Sequence, residues 1–290
     1  MLKNIKQKAR FVASGMMVFM IVPSNNSLAG NFAETFTSVS SDSTKRSVDS
    51  LTLGTVIDCP EKTVTLQAPA IKLNAAASTY VKKFIPKNIE DLKMVDKRKG
   101  KYFGIIVPVL KKYGIPEELK YLAVVESQLK PTAMSRVGAR GMWQLMPATA
   151  RELGLKVNGK TDERTHAYKS TVAAAKYLRD LHKMFGDWLL VVAAYNSGPG
   201  YVLKAIKKSG SRNFWKLQNF LPSETRSHVK RFIGTHCYFQ EELSLTILTK
   251  QETIAYQDAL KKFHISMELS KVEADLAAGE LKEEKIKETK

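Results

Sequence analysis

Glu126 is the residue whose type and position in this chain are best suited to catalysis. It follows Leu119, Leu122 and Ala123 at helical spacing, so one helical face is apolar except for this carboxyl group. Loss of water favours the neutral form of a carboxylic acid, and a neutral acid can donate a proton to a leaving group. An acid at such a position is more often ion-paired or turned towards solvent, so the surrounding sequence has to decide between chemistry and structure.

The elements that must position Glu126 are predicted to be helical. Pro116 and the two glutamates after it are typical of a helix N-terminus. The apolar run at 187–194 predicts a buried central helix, whereas the glycines and alternation at 136–145 predict a loop or short hairpin. Other helices are predicted at 102–112, at 147–153, at 170–185 and from Pro222 onward. The sequence therefore predicts a mainly α fold.

Four regions are predicted along the 290 residues. A basic start, a short apolar run and a small-residue cleavage site ending at Ala29 predict a secretory signal peptide at 1–29, with an uncleaved membrane anchor as the alternative. We expect a disordered or irregular linker at 30–74 and a helical domain at 75–248. The charged C-terminal tail at 249–290 is either a solvated helix or disordered. The signal peptide predicts export to the periplasm or cell envelope.

The formal net charge of +18 indicates an anionic partner or a solubilising basic surface. Nucleic acid is disfavoured, because the sequence carries no nucleic-acid-binding motif and the signal peptide predicts export. No Cys/His cluster has metal-ligand spacing, so we expect no metal site and no cofactor. Cys59 and Cys237 are the only cysteines, and the sequence permits a disulfide between them without predicting one.

Four short motifs follow one another between about Tyr102 and Cys237. They are Glu126-Ser127, the Gly138–Pro147 segment, the Ala193–Gly200 segment and the Leu221–Thr225 segment. Together they resemble the soluble-type (SLT) lytic transglycosylase domain, and within that family the membrane-bound lytic murein transglycosylase D type. This resemblance implies a lysozyme-like helical domain of the goose-type (SLT) class.

The resemblance also implies an activity. Lytic transglycosylases cleave the β-1,4 bond between N-acetylmuramic acid and N-acetylglucosamine in peptidoglycan glycan strands without water, which leaves 1,6-anhydro ends. One glutamate, matched here by Glu126, acts first as the acid and then as the base. The implied enzyme is a carbon–oxygen lyase that acts on a polysaccharide and needs no cofactor.

Six substrate-binding residues are implied by the same resemblance: Ser135, Gln144, Met146, Tyr195, Asn196 and His228. The family pattern has a tyrosine at the position of His228. Structural alternatives remain open for several of these residues, namely a turn for Ser135, the core for Met146 and a helix cap for the pair Tyr195 and Asn196.

Some neighbouring residues are expected to have structural roles. Trp143 is expected in the core. The glycines Gly138 and Gly141 are expected to allow close approach of the backbone. Asp162 and Arg164 are expected to form a pair that supports the fold.

Two other functions compete with the transglycosylase. A hydrolytic muramidase of the same fold would need a second carboxylate to activate water, and Glu163 is the candidate, although no sequence feature places it at Glu126. A non-catalytic peptidoglycan-binding envelope protein would have no need of a desolvated acid. We expect a monomer whose basic charge suits both the carboxylates of peptidoglycan stem peptides and an anionic membrane surface.

Overall fold

The computed structural model describes residues 67–288, so the predicted signal peptide, most of the predicted linker and Cys59 lie outside the described residues. Within this range ten α-helices follow one another. They are α1 (Ala75–Lys87), α2 (Ile89–Lys112), α3 (Lys120–Ser127), α4 (Pro147–Glu152), α5 (Ala167–Phe185), α6 (Trp188–Ser197), α7 (Pro199–Ser209), α8 (Phe214–Leu217), α9 (Ser223–Phe239) and α10 (Lys250–Glu288). The mainly α prediction is confirmed, and residues 67–288 contain isolated β-bridges but no strand.

Helix α6 forms the centre of the core, as its apolar sequence predicts. Every residue from Leu189 to Ala194 is fully buried. Helices α5, α7 and α9 pack around it. An all-apolar helix is stable only when neighbours cover every face, so these three helices fix the position at which α6 ends.

Asp187 joins the starts of α6 and α10. Its Oδ1 atom accepts a hydrogen bond from the Leu190 backbone N–H at 3.0 Å, which caps α6. Its Oδ2 atom accepts one from the Lys250 N–H at 2.7 Å, where α10 begins. Burial raises the pKa of Asp187, and these backbone bonds oppose that shift. One carboxylate therefore anchors the first turn of the C-terminal helix to the core.

Helix α9 packs against α1, α3 and α6. Gly234 permits the contact with α1, since a Cβ atom at this position would overlap the ring of Phe84. Because α9 touches both α3 and α6, residues in its first two turns lie near the ends of those helices.

The charged tail is helical over Lys250–Glu288, which settles the choice between helix and disorder for those residues. Beyond its anchored first turn α10 exposes several apolar side chains, including Ile265, Leu269 and Val272. None of the helices within residues 67–288 is long and apolar enough to cross a membrane.

Candidate active site

Glu126 lies in the last turn of α3, and only 4% of its surface is exposed. The predicted helix start at Pro116 is a short 3₁₀ helix, Glu117–Leu119, that leads into α3. Gln128 and Leu129 then adopt left-handed backbone angles, with φ of 54° and 60°. Left-handed residues end a helix sharply, so α3 stops just after Glu126.

The carboxyl group of Glu126 pairs with His228 on α9. Glu126 Oε1 lies 2.9 Å from His228 Nε2, and both side chains are 3% exposed. When Nε2 carries a proton, it donates to Oε1 of a carboxylate and equally to Oε1 of a carboxylic acid that is protonated on Oε2, so the bond is compatible with both states of the acid. No residue within 67–288 bonds to Oε2 of Glu126, so this oxygen is available for proton transfer.

The end of α6 places Tyr195 and Asn196 beside the acid. The Tyr195 hydroxyl donates to the Trp143 carbonyl at 2.7 Å. Burial raises the pKa of Tyr195 well above its usual value and the nearby Glu126 carboxylate adds to the shift, so Tyr195 stays protonated. Asn196 Oδ1 accepts from the Thr225 hydroxyl at 2.9 Å.

Two buried nitrogens at this junction have no hydrogen-bond partner within residues 67–288: Asn196 Nδ2 and His228 Nδ1. An unpaired buried polar group costs about 1–3 kcal/mol. Such groups at a helix junction are typical of functional sites, where a ligand can supply the missing partner.

Gln144 lies in the predicted loop, and its side chain is largely used by that loop. Its Nε2 donates to the carbonyls of Gly141 at 2.8 Å and Ala133 at 3.1 Å, while its backbone has a left-handed φ of 46°. Only the Oε1 atom of its amide remains for a sugar hydroxyl. The segment contains isolated antiparallel bridges, Met134–Arg140 and Arg140–Leu145, which fits the predicted loop or short hairpin.

Ser135 and Met146 make no direct bond to Glu126. The Ser135 hydroxyl accepts from the Ala139 N–H at 2.9 Å, as the turn alternative predicts. Met146 is half-buried and immediately precedes α4. The structure therefore brings Glu126, Tyr195, Asn196 and His228 to one helix junction, and substrate binding by all six residues stays a prediction.

Ser127 is a site residue to which the sequence assigned no role. Its hydroxyl donates to the Met142 carbonyl at 2.9 Å, which joins the end of α3 to the loop. Trp143 is fully buried, as expected, and its indole N–H donates to Thr171 Oγ1 at 2.9 Å. The sequence shows only that a serine follows the acid directly. Its partner, Met142, lies fifteen residues further along the chain, so the role of Ser127 could not be predicted from the sequence.

Arg164 bonds both to Asp162 and to the backbone of the loop at 136–145. The expected pair with Asp162 is confirmed. Its Nε and Nη2 atoms donate to the two carboxylate oxygens of Asp162 at 2.9 and 2.7 Å. Its Nη1 atom donates to the carbonyls of Gly138 at 2.7 Å and Leu145 at 3.0 Å. Gly141 lies so close that a Cβ atom there would overlap the Arg164 carbonyl, so the expected close approach is confirmed at this glycine.

Replacing Arg164 with alanine should therefore lower the free energy of unfolding by about 3 kcal/mol. The hydrogen bond from Arg164 holds the pKa of Asp162 below its usual value, so this stabilisation is present at neutral pH and is lost as acid protonates Asp162. Urea unfolding followed by circular dichroism measures both effects.

The matched control is Arg140→Ala, because Arg140 bonds to the same carboxylate at 3.2 Å but its side chain is 38% exposed. An exposed pair contributes about 1 kcal/mol or less. Equal losses in the two variants would show that the buried network does not hold the loop.

These features define a mainly helical protein in which a buried carboxylic acid, paired with histidine, lies where three helices meet. Residues 105–218 match the family model of the Transglycosylase SLT domain. The segment that carries Glu126, Tyr195 and Asn196 is therefore similar to this domain, and His228 lies outside the matched residues.

Two known proteins are similar in sequence to parts of this chain. The membrane-bound lytic murein transglycosylase D of Escherichia coli (strain K12) is 39% identical over 183 residues, which cover 61% of this chain and 39% of that protein. The putative tributyltin chloride resistance protein of Alteromonas sp. (strain M-1) is 38% identical over 114 residues, 39% of this chain and 55% of that protein. The chain thus matches well under two thirds of either relative.

Among solved structures, the 70 kDa soluble lytic transglycosylase of Escherichia coli is similar, with a TM-score of 0.42 and 26% identity. The match covers 50% of this chain and 26% of that one.

Proposed function

We propose that this protein is a lytic transglycosylase that cleaves peptidoglycan glycan strands between N-acetylmuramic acid and N-acetylglucosamine. The observation that carries the proposal is Glu126, a buried acid at the end of α3 within the matched SLT segment, with one oxygen held by His228. The name of the Escherichia coli relative, a lytic murein transglycosylase, supports the same substrate.

In the proposed reaction Glu126 first acts as the acid. It donates its proton to the glycosidic oxygen, and the bond from that oxygen to the anomeric carbon of N-acetylmuramic acid breaks. The N-acetylglucosamine strand leaves with a hydroxyl group. The N-acetyl group of the substrate stabilises the positive charge that develops on the remaining sugar, so no nucleophile from the protein is required.

Glu126 then acts as the base. Its carboxylate removes the proton from the C6 hydroxyl of the same sugar, and O6 bonds to the anomeric carbon. The product is a 1,6-anhydro sugar, the carboxyl group is protonated again, and no water is consumed. A single carboxyl group suffices because the nucleophile belongs to the substrate.

The proposed role of His228 is to hold Oε1 so that Oε2 faces the bond to be broken. In both steps Nε2 donates to Oε1, which leaves Oε2 to give the proton first and to take one afterwards. Asn196 Nδ2 is a donor without a partner within residues 67–288, and we assign it to an acceptor group of the bound sugar. Tyr195 connects the end of α6 to the Trp143 carbonyl and so holds the loop against the site.

The hydrolytic alternative is less well supported. Glu163 Oε1 lies 2.6 Å from Lys169 Nζ, and its Oε2 accepts from the Lys156 N–H at 2.7 Å. These two bonds keep the pKa of Glu163 below its usual value. Both of its oxygens are bonded to nearby lysine residues, so Glu163 is poorly placed to activate water at Glu126.

We further propose that the protein acts as a monomer in the cell envelope, after export directed by residues 1–29. The domain then comprises residues 75–248, with 30–74 as a linker and 249–290 as a tail. The positive charge supports contact with peptidoglycan and with an anionic membrane surface.

Digestion of purified sacculi, followed by mass spectrometry of the released muropeptides, tests this function. Release of fragments with anhydro ends is the expected result. Reducing ends would instead indicate a hydrolytic muramidase. Failure of the wild-type protein to release any fragment would contradict the enzymatic role and favour a binding protein.

A further inference from the structure

A basic pocket of about 560 Å³ lies between α2 and the segment that follows α3. We define it by the cations that line it: Lys97, Arg98, Lys101 and Lys130. Its remaining lining residues are uncharged. From this we propose that the basic pocket binds carboxylate groups of peptidoglycan stem peptides, a site that rests on the proposed function and names a further part of its substrate.

Helix geometry concentrates the positive charge. Lys97 and Lys101 are one turn apart on α2, and Arg98 and Tyr102 form the adjacent row. Gly100 lies between them and has open space where a side chain would project. Both lysines are exposed. Like charges this close repel one another, and an anionic ligand relieves that repulsion.

Within residues 67–288 none of the four cations forms an ion pair with a carboxylate. Asp96 is the acid next to Lys97 in the sequence, but it pairs with Lys99. Arg98 donates only to the carbonyl of Gln128, at 3.3 Å. The positive charge of the pocket is therefore available to a ligand, and Lys and Arg side chains match carboxylates well.

The basic pocket is joined to the candidate active site by two short links. Arg98 bonds to Gln128, two residues after Glu126. The Ala133 carbonyl, at the other end of the pocket, accepts from Gln144 Nε2 and from the Gly141 N–H at 2.8 Å. In the proposal the sugar lies beside Glu126 and the stem peptide attached to it occupies the pocket.

The lining also favours a peptide over a simple ion. Tyr102 and Pro131 are half-buried and add apolar surface beside the cations. A carboxylate at the end of a short peptide would contact both kinds of surface. A flat lipid headgroup layer would contact the exposed lysines but not the floor of the pocket.

Binding by the full-length Glu126→Gln protein tests the proposal, because the glycan then stays intact. The ligands are soluble glycan strands with stem peptides and the same strands after an amidase has removed the peptides. We expect the peptide-bearing strands to bind about tenfold more tightly at low salt, with the preference shrinking as salt is added. Adding Lys97→Glu and Lys101→Glu should abolish the preference and leave binding of the peptide-free strands unchanged.

Lys83→Glu with Lys87→Glu is the matched control, since these exposed lysines have the same spacing on α1 and line no part of the pocket. This control should keep the preference for peptide-bearing strands. Lys130→Glu should reduce that preference, because Lys130 lines the pocket on the side opposite α2. An unchanged preference in the Lys97/Lys101 variant, or equal weakening of both strands, would overturn the proposal. Binding to phosphatidylglycerol vesicles gives a further test. If the Lys97/Lys101 variant loses binding to the vesicles but keeps its preference for peptide-bearing strands, the cations belong to a membrane-binding surface and the proposal is overturned.

These readouts are separate from catalysis. If the wild-type protein releases no fragments from sacculi but the peptide preference depends on Lys97 and Lys101, the enzymatic proposal fails and the pocket stands. If the protein cleaves sacculi to anhydro products but shows no peptide preference, the enzymatic proposal stands and the pocket fails.

Discussion

Glu126→Gln should lower the rate of fragment release from sacculi by at least about 10³-fold. Glutamine keeps the size of the side chain and can still bond to His228, but it cannot donate a proton to the glycosidic oxygen or remove one from the C6 hydroxyl. Because one group performs both steps in the proposed mechanism, the variant loses both. Soluble muropeptide release over time measures the effect.

The matched control for this prediction is Glu163→Gln, which removes the second carboxylate that a hydrolytic mechanism would require. It should retain the wild-type rate, since Glu163 bonds to Lys156 and Lys169. If the Glu126→Gln protein still binds intact sacculi, its loss of activity lies in the chemical step and not in substrate binding. A large loss in Glu163→Gln, with wild-type folding, would contradict the single-carboxylate account.

His228→Phe should lower kcat by about 10- to 100-fold, since a poorly oriented catalytic group can cost that much. Phenylalanine fills the buried space but leaves Glu126 Oε1 without its partner at 2.9 Å. The other proposed sugar-binding residues are unchanged in this variant, so KM should change little. Steady-state kinetics with soluble glycan strands separates the two constants.

The conservative variant His228→Tyr distinguishes a positioning role from simple packing. Tyrosine is the residue that the family resemblance leads us to expect here, and its hydroxyl can bond to the acid. It should keep kcat within about tenfold of the wild type. If His228→Phe is as active as the wild-type protein, the pair between His228 and Glu126 does not position the acid.

Local patterns in the sequence predicted the parts of the site that depend on neighbouring residues. The apolar face before Glu126 predicted its burial, and the uninterrupted apolar run predicted that α6 is central. The pairing of Asp162 with Arg164 was also predictable, since the two residues are close in sequence. In each case the physical cause lies within about two helical turns of the residue.

Features that depend on distant contacts could not be predicted in this way. His228 is 102 positions from Glu126, and only the packing of α9 against α3 brings them together. Gln144 matched a sugar-binding position, yet a left-handed backbone turns its amide towards the carbonyls of its own loop. The basic pocket arises where α2 meets the segment after α3, which no single motif contains.

The proposed use of Glu126 as both acid and base is tested most directly by digesting sacculi in water enriched in oxygen-18. If the C6 hydroxyl is the nucleophile, every new muramic acid end is an anhydro sugar, lighter than the reducing sugar by one water, and carries no heavy oxygen. New reducing ends labelled with oxygen-18 would contradict the account, because they require water as the nucleophile.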